Sequence, residues 1–368
     1  MSAPGGPVRR AVAALVPVGH PSQPTAEGVR RLNLNECPYP PSPAVIAALV
    51  AAAGRVNRYP DARGRALAGA LAERLGVAVA RIALGNGSDA LIRLIGEVCL
   101  DAGDAIVVPA PSFGSYATAA RVRDAEVTEV ALAPGGAVDA GGLIAAVGPR
   151  TRIVFAANPN NPTGALVSGD ELAALAEGVP ERVLLVLDEA YFEFARHAGG
   201  ADGLGALAGR RGPWVVLRTF SKAYALAGAR IGYAICGDPA LAQALDAARP
   251  TFFVNALAQA AALAALGDQA YAAELQRRNA RDRERLAAGL AALGLDPMPS
   301  VTNFVAAALC RPAAPVIAAL ARRGILIAPI RAPGWEHFIR VSVGAPDDTD
   351  ALLAALAEVL GEAGDGAR

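Results

Sequence analysis

The sequence predicts an α/β protein with two domains: a large domain on a mostly parallel sheet flanked by helices, and a smaller α+β domain. From about residue 44 to 250, short apolar runs alternate with helix-like segments, as in parallel strands joined by helices. After residue 250 the chain becomes rich in alanine and arginine. A length of 368 residues suits two domains. We expect an N-terminal arm at 1–45 that contributes to the small domain, a large domain at 46–250 and a small domain at 251–368.

The strands of the large domain are predicted from continuous apolar runs. Such runs are typical of strands that are buried on both faces of a parallel sheet. Helices are predicted between them, for example at 88–100 and 169–177. The five runs are 105–108, 152–156, 183–187, 214–217 and 231–235.

The two ends of the chain have different patterns. Proline and glycine are frequent up to about residue 45, so the arm is predicted to be extended with little regular structure. One or two long helices are predicted at 256–293. The small domain is then completed by predicted strands at 302–306, 325–327 and 338–343 and by helices at 313–322 and 347–360.

Charge and composition argue against several classes of function. Basic and acidic residues both total 34, so there is no basic excess for a nucleic-acid partner. No apolar run approaches the ~20 residues that a membrane helix needs. The 4 cysteines and 3 histidines are scattered and predict neither a disulfide framework nor a metal site. A cytoplasmic location without nucleic-acid or membrane partners is therefore expected.

The chain contains a single lysine, Lys222, among its 34 basic residues. A preference for arginine throughout the sequence explains why other lysines are absent. Arginine can replace lysine in most solvated roles, but it cannot act as an amine nucleophile because its guanidinium stays protonated. The lysine that remains is therefore a candidate for amine chemistry.

Polar groups follow three of the predicted strands at the point where each strand ends. Asn161 follows the second run, Asp188 the third and Lys222 the fourth, and Arg230 lies 8 residues beyond the lysine. Open α/β sheets bind ligands just beyond the carboxyl ends of their strands. An amide, a carboxylate and the only lysine amine are thus predicted to meet at one edge.

This set of groups fits the chemistry of pyridoxal 5′-phosphate (PLP). A lysine amine holds the aldehyde of PLP, and a carboxylate keeps its pyridine nitrogen protonated so that the ring can withdraw electrons. The phosphate of PLP needs a helix N-terminus and an arginine. The segment GNGSD at 85–89 opens a predicted helix, as phosphate-binding loops do.

Four motifs occur in order along the chain: GNGSDALI at 85–92, NPNNPTG at 158–164, DEAY at 188–191 and TFSKAYALAGARIGY at 219–233. In this order and spacing they resemble the fold-type I PLP-dependent aminotransferases. LNECP at 34–38 and RYPD at 58–61 resemble the histidinol-phosphate aminotransferase branch and its aromatic amino acid relatives. The resemblance covers about residues 32–344.

The resemblance implies roles for the residues around the PLP ring. Lys222 would form a Schiff base with PLP and, once displaced by substrate, would move a proton during the reaction. Asp188 would pair with the pyridinium nitrogen. Tyr191 and Asn161 would hydrogen-bond the ring oxygen, and Phe113 would stack on the ring face.

The resemblance also assigns residues to the phosphate of PLP and to the substrate. Tyr59 would reach the phosphate bound by the neighbouring subunit, so a homodimer is expected. Arg340, inside a short predicted strand, would bind the anionic group of the substrate. The phosphate residues would be Ser88, Asp89, Ser221 and Arg230, and the further substrate residues Asn35, Glu36 and Arg331.

Three positions depart from the histidinol-phosphate branch. Val18 stands where the branch commonly has a tyrosine, Cys37 where it has an asparagine, and Ala328 where it often has an arginine. These groups are expected to hold the phosphate of the substrate, so the amino donor stays open between histidinol phosphate and an aromatic or other amino acid. Arg331 is a candidate replacement for the missing arginine. The expected acceptor is a 2-oxo acid such as 2-oxoglutarate.

Three alternative functions share parts of the pattern. PLP-dependent decarboxylases resembling the threonine-phosphate decarboxylases share NPNNPTG and the lysine motif, and CO₂ release without an amino acceptor would identify one. A dehydrogenase fits less well, because the GNGSDA segment at 85–90 is not followed by an acidic residue at the end of the next strand. A PLP-binding regulatory module would need a DNA-binding extension, and the sequence shows none.

Overall fold

The computed structural model describes residues 8–13, 15 and 28–365. Several helices begin at residues whose side chains accept a hydrogen bond from the backbone of the first turn, among them Ser42, Ser168 and Asn255. The α-helices of the described residues are α1 Arg10–Ala13, α2 Pro43–Ala53, α3 Arg65–Leu75, α4 Gly87–Cys99, α5 Ser115–Val122, α6 Ala140–Ala145, α7 Gly169–Gly178, α8 Phe192–His197, α9 Gly203–Leu207, α10 Pro239–Ala248, α11 Ala256–Gly267, α12 Gln269–Ala292, α13 Ala313–Arg322 and α14 Pro346–Asp365.

The strands of the described residues form three sheets. They are β1 Arg30–Arg31, β2 Ile82–Gly85, β3 Ala105–Ala110, β4 Glu126–Ala131, β5 Thr151–Ala157, β6 Leu184–Asp188, β7 Trp214–Thr219, β8 Gly232–Cys236, β9 Asp296–Pro297, β10 Phe304–Ala308, β11 Ile325–Leu326, β12 Ala328–Pro329 and β13 Phe338–Ser342.

The largest sheet has seven strands in the order β2-β8-β7-β6-β5-β3-β4. All neighbouring pairs from β7 to β4 are parallel, whereas β8 runs antiparallel to both β7 and β2. The predicted mostly parallel sheet is confirmed. The carboxyl ends of β5, β6 and β7 meet at one edge, which is where polar groups were predicted to converge.

The central strands are buried on both faces, which explains their continuous apolar sequences. Val154 and Leu185 belong to the core on one face of the sheet. Ile153 and Leu184, one position earlier on each strand, belong to the core on the opposite face. Side chains alternate between the faces of a strand, so a strand covered by helices on both sides needs apolar residues at every position.

A second group of elements surrounds a four-stranded antiparallel sheet in the order β12-β13-β10-β9. Its core includes Leu286 and Leu290 of α12, Leu320 of α13 and Leu356 of α14. The arm joins this group, since β1 pairs in parallel with β11 and Leu32 is buried in the same core.

Helix α11 belongs with the large sheet. Its residues Ala258, Ala261 and Ala262 are buried in the core beneath that sheet, and the helix packs along α2. We therefore propose that the second domain begins near residue 268 instead of at 251. Among the described residues, no helix is both long and apolar enough to cross a bilayer.

Candidate active site

Three adjacent parallel strands place the predicted groups at one edge of the large sheet. Asp188 is the last residue of β6 and lies in register with Ala157 on β5 and Leu217 on β7. Asn161 lies in the loop after β5, and Lys222 lies 3 residues after the end of β7. The polar residues of this edge are thus delivered by neighbouring strand ends.

Lys222 is partly buried, and its amine is held by the arm. The Nζ atom donates hydrogen bonds to the backbone oxygens of Leu34 at 3.2 Å and Asn35 at 3.0 Å. Burial lowers the pKa of Lys222 to about 8, and the positive charge of Arg340 acts in the same direction. A substantial fraction of this amine is therefore neutral near pH 8, as a nucleophilic amine requires.

Asp188 is buried and accepts two hydrogen bonds. Its Oδ2 atom accepts from the hydroxyl of Tyr116 at 2.7 Å, and its Oδ1 atom accepts from the backbone N–H of Ala190 at 3.0 Å. Burial raises the pKa of Asp188 to about 6, and the hydrogen bond from Tyr116 opposes that rise. The carboxylate is thus mainly ionised at pH 7 and can pair with a cationic ring nitrogen.

Tyr191 and Asn35 connect the large domain to the arm. The amide nitrogen of Asn35 donates to the hydroxyl oxygen of Tyr191 at 2.8 Å, and the Tyr191 ring packs edge-on against Phe304. Burial raises the pKa of Tyr191 to about 12, so its hydroxyl keeps its proton and can donate it to an anionic oxygen.

Arg340 has an incompletely satisfied guanidinium in this site. Its Nη1 donates to the amide oxygen of Asn161 at 2.6 Å, and its Nη2 donates to the backbone oxygen of Asn33 at 2.8 Å. Its Nε is buried and finds no partner among the described residues. Ala328 lies directly opposite Arg340 in the antiparallel β12–β13 pair. An anion bound here would supply the missing acceptor.

The N-terminus of α4 and Arg230 form a cradle that admits only glycine at two positions. A Cβ atom on Gly87 would lie 2.8 Å from Nη2 of Arg230, and one on Gly232 would lie 2.8 Å from the backbone nitrogen of Ser88. Gly87 also has a φ of +79°. Backbone N–H groups at a helix N-terminus beside an exposed arginine suit a phosphate.

The remaining predicted cofactor residues lie near this cradle or near Asp188. The hydroxyl of Ser221 contacts that of Thr219 at 2.9 Å, and the carboxylate of Asp89 accepts a hydrogen bond from Ser115. Phe113 packs edge-on against Tyr116, with ring centroids 5.9 Å apart. Together, the cradle, the ionised Asp188 and the amine of Lys222 fit a cofactor with a phosphate, a basic ring nitrogen and an aldehyde.

Some predicted residues are not brought into this constellation. Tyr59 is 81% exposed and stacks on Phe252. Arg331 is exposed, and no hydrogen bond or ion pair joins it to the described site residues. Glu36 does lie near the amine: its carboxylate is 3.8 Å from Nε of Arg31, and its charge opposes the lowering of the pKa of Lys222.

Of the positions that depart from the histidinol-phosphate branch, the structure places Cys37 in the site but does not describe Val18. Cys37 lines a small cavity together with Lys222. Val18 lies outside the described residues.

Four residues of the site were not predicted. Tyr116, in the first turn of α5, donates its backbone N–H to Phe113 in the turn before the helix, which brings the two rings into contact, but nothing in the sequence links Tyr116 to Asp188. The others are Asn33, Asn303 and Ser342, whose hydrogen bonds join the arm to residues about 270 to 310 positions away along the chain.

A buried carboxylate, an enclosed lysine amine and a phosphate cradle at the carboxyl edge of a mostly parallel sheet define a PLP-dependent enzyme of fold-type I. Residues 27–359 match the family model of aminotransferase class I and II. The chain belongs to this family, as its motifs predicted, and it is an aminotransferase.

Relatives of this chain carry a consistent name. It is 42% identical over 330 residues to histidinol-phosphate aminotransferase 2 of Pseudomonas aeruginosa, covering 90% of this chain and 89% of that protein. It is 38% identical over 332 residues to histidinol-phosphate aminotransferase 1 of Mesorhizobium japonicum, covering 90% of both. The crystal structure of histidinol-phosphate aminotransferase from Sinorhizobium meliloti in complex with PLP superposes with a TM-score of 0.86 at 36% identity, covering 90% of this chain and 91% of that one.

Proposed function

We propose that this aminotransferase moves the amino group of histidinol phosphate or of an aromatic amino acid to 2-oxoglutarate, with Lys222 forming a Schiff base with PLP. The observation that carries the proposal is the position of the only lysine, just after β7, at the same carboxyl edge where the neighbouring strand β6 ends in the buried Asp188. The names of the relatives support histidinol phosphate as one donor, and they support transamination over decarboxylation.

Bound PLP supplies a ring that withdraws electrons from the carbon bearing the amino group. Asp188 would keep the proton on the ring nitrogen, because its carboxylate is ionised at neutral pH. Tyr191 would donate its hydroxyl proton to the ring oxygen, and the amide nitrogen of Asn161 would donate to the same atom while its oxygen is held by Arg340. Lys222, once free, would take a proton from the substrate carbon and return it one position away.

The phosphate of PLP would lie at the N-terminus of α4. Ser88 and Asp89 would present backbone N–H groups there, and Arg230 and Ser221 would add side-chain donors. Phe113 would cover one face of the ring. The backbone N–H groups of a helix N-terminus and the cation of Arg230 suit the negative charge of a phosphate.

The anionic group of the donor would bind Arg340. Its unpaired Nε offers one hydrogen bond, and an arginine can engage a carboxylate with two parallel bonds. A phosphate dianion benefits from a second cation, which the cross-strand neighbour Ala328 cannot provide. Asn35 and Glu36 stay predicted substrate residues at the end of the arm.

Replacing Arg340 by glutamine should lower kcat/KM for anionic donors by roughly 10²-fold, since one or two charge-assisted hydrogen bonds are lost. Most of the loss should appear as a higher KM. The matched control is Arg331→Gln, which removes an exposed arginine from the connection between β12 and β13 and should leave kcat/KM within about twofold. A larger loss with Arg331→Gln than with Arg340→Gln would reverse the assignment of the anion site.

Single-turnover assays on the PLP form identify the donor. Histidinol phosphate, phenylalanine, tyrosine and histidine are mixed separately with the enzyme, and loss of the visible absorption band is followed. Faster loss with an aromatic amino acid would exclude histidinol phosphate as the preferred donor. Subsequent recovery of the band with 2-oxoglutarate tests the acceptor, and CO₂ release without that acceptor would overturn transamination.

We also propose that the enzyme acts as a homodimer through an apolar patch beside α2 and α11. The patch consists of Ile46, Val50, Val56, Tyr59 and Leu263, which are all exposed in the single chain. Val50 is 70% and Tyr59 81% exposed, and exposed apolar patches, unlike single exposed apolar residues, often mark protein–protein interfaces. A second copy of this chain would cover the patch and bring Tyr59 of one subunit towards the phosphate cradle of the other, formed by the N-terminus of α4 and Arg230. The cytoplasmic location stays a prediction.

Mixing two inactive variants tests the shared site. Tyr59→Ala and Lys222→Ala proteins should each have low activity, but co-refolded mixtures should recover roughly a quarter of the parental activity, because half the dimers are mixed and each contains one intact site. Sedimentation should show dimers throughout. Dimers without recovery would place Tyr59 in its own subunit's site, and a monomer would refute the patch as an interface.

A further inference from the structure

The amine of Lys222 rests on a segment of the arm with an unusual backbone. Asn35, one of its two acceptors, has a φ of +53°, in the left-handed region that non-glycine residues rarely adopt. Its backbone N–H donates to the hydroxyl of Ser342 at 2.8 Å. Tertiary contacts therefore hold the Asn35 carbonyl in its orientation, because the local backbone preference does not favour it.

Asn303 provides a second donor to the Asn35 carbonyl, in addition to Lys222. It directly precedes β10, and it is 1% exposed. Its Nδ2 atom donates to the backbone oxygen of Asn35 at 2.9 Å and, more weakly, to that of Glu36 at 3.4 Å. The Asn35 oxygen thus accepts from both Lys222 and Asn303.

A small cavity adjoins the same group of residues. Lys222, Cys37 and Asn303 line it, and its volume is about 10 Å³, close to the space that one water molecule needs. The Oδ1 atom of Asn303 is buried and has no hydrogen-bond partner among the described residues. Burying that oxygen without a partner costs free energy, so the amide N–H bond to the Asn35 oxygen is the favourable polar contact that this side chain makes.

We infer that Asn303 is a positioning residue for Lys222: its amide fixes the Asn35 carbonyl as the dock to which the lysine amine returns whenever it is not bonded to the cofactor. The inference rests on the proposed role of Lys222 and adds a residue from the second domain to it. A docked ammonium is stabilised by its carbonyl acceptors, so the dock also sets how firmly the lysine holds its proton.

Other groups near the amine oppose or support this effect. Burial, Arg340 and Arg230 favour the neutral amine, whereas Glu36 favours the ammonium. The neutral hydroxyl of Tyr191 and the neutral thiol of Cys37 add no charge, since burial raises the pKa of both groups. Loss of the dock would remove a contact that favours the ammonium, so the pKa of Lys222 should fall.

The single lysine makes a direct test practical. Full-length protein is labelled with ¹³C at lysine Cε, the cofactor is removed, and the one lysine resonance is titrated with pH. We expect Asn303→Leu to lower the pKa of Lys222 by about one pH unit, a tenfold change in acid dissociation, because one hydrogen bond to the charged form loses its anchor. In the holoenzyme, the pH limb of kcat that reports this amine should move in the same direction.

Asn279→Leu is the matched control. Asn279 is also buried and lines the same cavity, but its amide donates to the backbone oxygen of Thr302 instead of Asn35. Its substitution should leave the lysine titration unchanged. Equal shifts in both variants, or no shift in Asn303→Leu, would overturn the inference. If Asn303→Leu does not fold, as judged by circular dichroism, Asn303→Ser is titrated with the same expectations.

A different measurement tests the proposed role of Lys222 in binding the cofactor. Borohydride reduction of the parental holoenzyme either attaches the cofactor to Lys222 or does not, and this outcome does not depend on Asn303. If borohydride attaches the cofactor to Lys222 but Asn303→Leu does not shift the titration of the lysine, only the dock is refuted. If borohydride does not attach the cofactor to Lys222, the proposed function is refuted.

Discussion

Replacing Lys222 by alanine should lower kcat by roughly 10⁴-fold or more, because it removes both the amine that binds the cofactor and the group that moves the proton. The variant should also lack the visible absorption band of the lysine-bound cofactor. In the parental enzyme, borohydride should fix the cofactor to one peptide, since the chain contains only one lysine.

Lys222→Arg separates charge from amine chemistry. Arginine keeps a positive charge near Leu34 and Asn35, but its guanidinium cannot act as a nucleophile at neutral pH. It should be as inactive as the alanine variant while retaining more of its thermal stability. Turnover by Lys222→Ala at the parental rate would refute the central role of this residue.

Replacing Asp188 by asparagine should lower kcat by roughly 10²–10⁴-fold, yet make the cofactor-free protein more stable at pH 8. Activity falls because a neutral amide cannot hold a proton on the ring nitrogen. Stability rises because an ionised carboxylate is buried in the parent, where burial raises the pKa of Asp188 to about 6. The gain should reach up to about 3 kcal/mol in free energy of unfolding.

The pH dependence of this gain has a definite sign. The folded protein binds the carboxyl proton more tightly than the unfolded chain, whose aspartates have a pKa near 3.8. The parent therefore loses stability relative to Asp188→Asn as the pH rises from 3.8 to about 6, and the difference is constant above that range. Urea unfolding of the cofactor-free proteins at pH 4 and pH 8 measures it, and a gain that is equal at both values would contradict burial of the charge.

Glu189 provides a control of opposite sign. It is as buried as its neighbour, but Nε of Arg218 donates to its carboxylate at 2.8 Å. Burial raises the pKa of Glu189 as well. Glu189→Gln would nevertheless remove one of the two carboxylates that form ion pairs with the buried Arg218 among the described residues, and this loss should outweigh the relief and destabilise the protein at pH 8.

The central strands could be predicted because burial on both faces makes most of their residues apolar. Strands β5, β6 and β7 are apolar at consecutive positions, and each was located to within about two residues. The edge strand β4 was not predicted, since its residues are all exposed or half-buried and include two glutamates. The reversed direction of β8 was also not predictable, because an apolar run has no polarity that distinguishes parallel from antiparallel pairing.

Contacts within the site were less predictable than its location. Lys222, Asp188 and Asn161 follow strand ends, and strand order brings them together. The hydrogen bonds of Tyr116 to Asp188 and of Asn303 to Asn35 join segments 72 and 268 residues apart. The first depends on how α5 packs on the large sheet, and the second on how the arm packs on the second domain. No local pattern specifies such a pairing.

The single lysine also determines how this protein responds to proteases. An endoprotease that cleaves only after lysine has one possible cut, the bond between Lys222 and Ala223, and Ala223 is 1% exposed. Cleavage requires this segment to unfold, locally or with the whole protein, so its rate under native conditions reports the openings that expose the active site. Digestion of the cofactor-free protein, in which the lysine side chain is unmodified, would report how readily this segment opens.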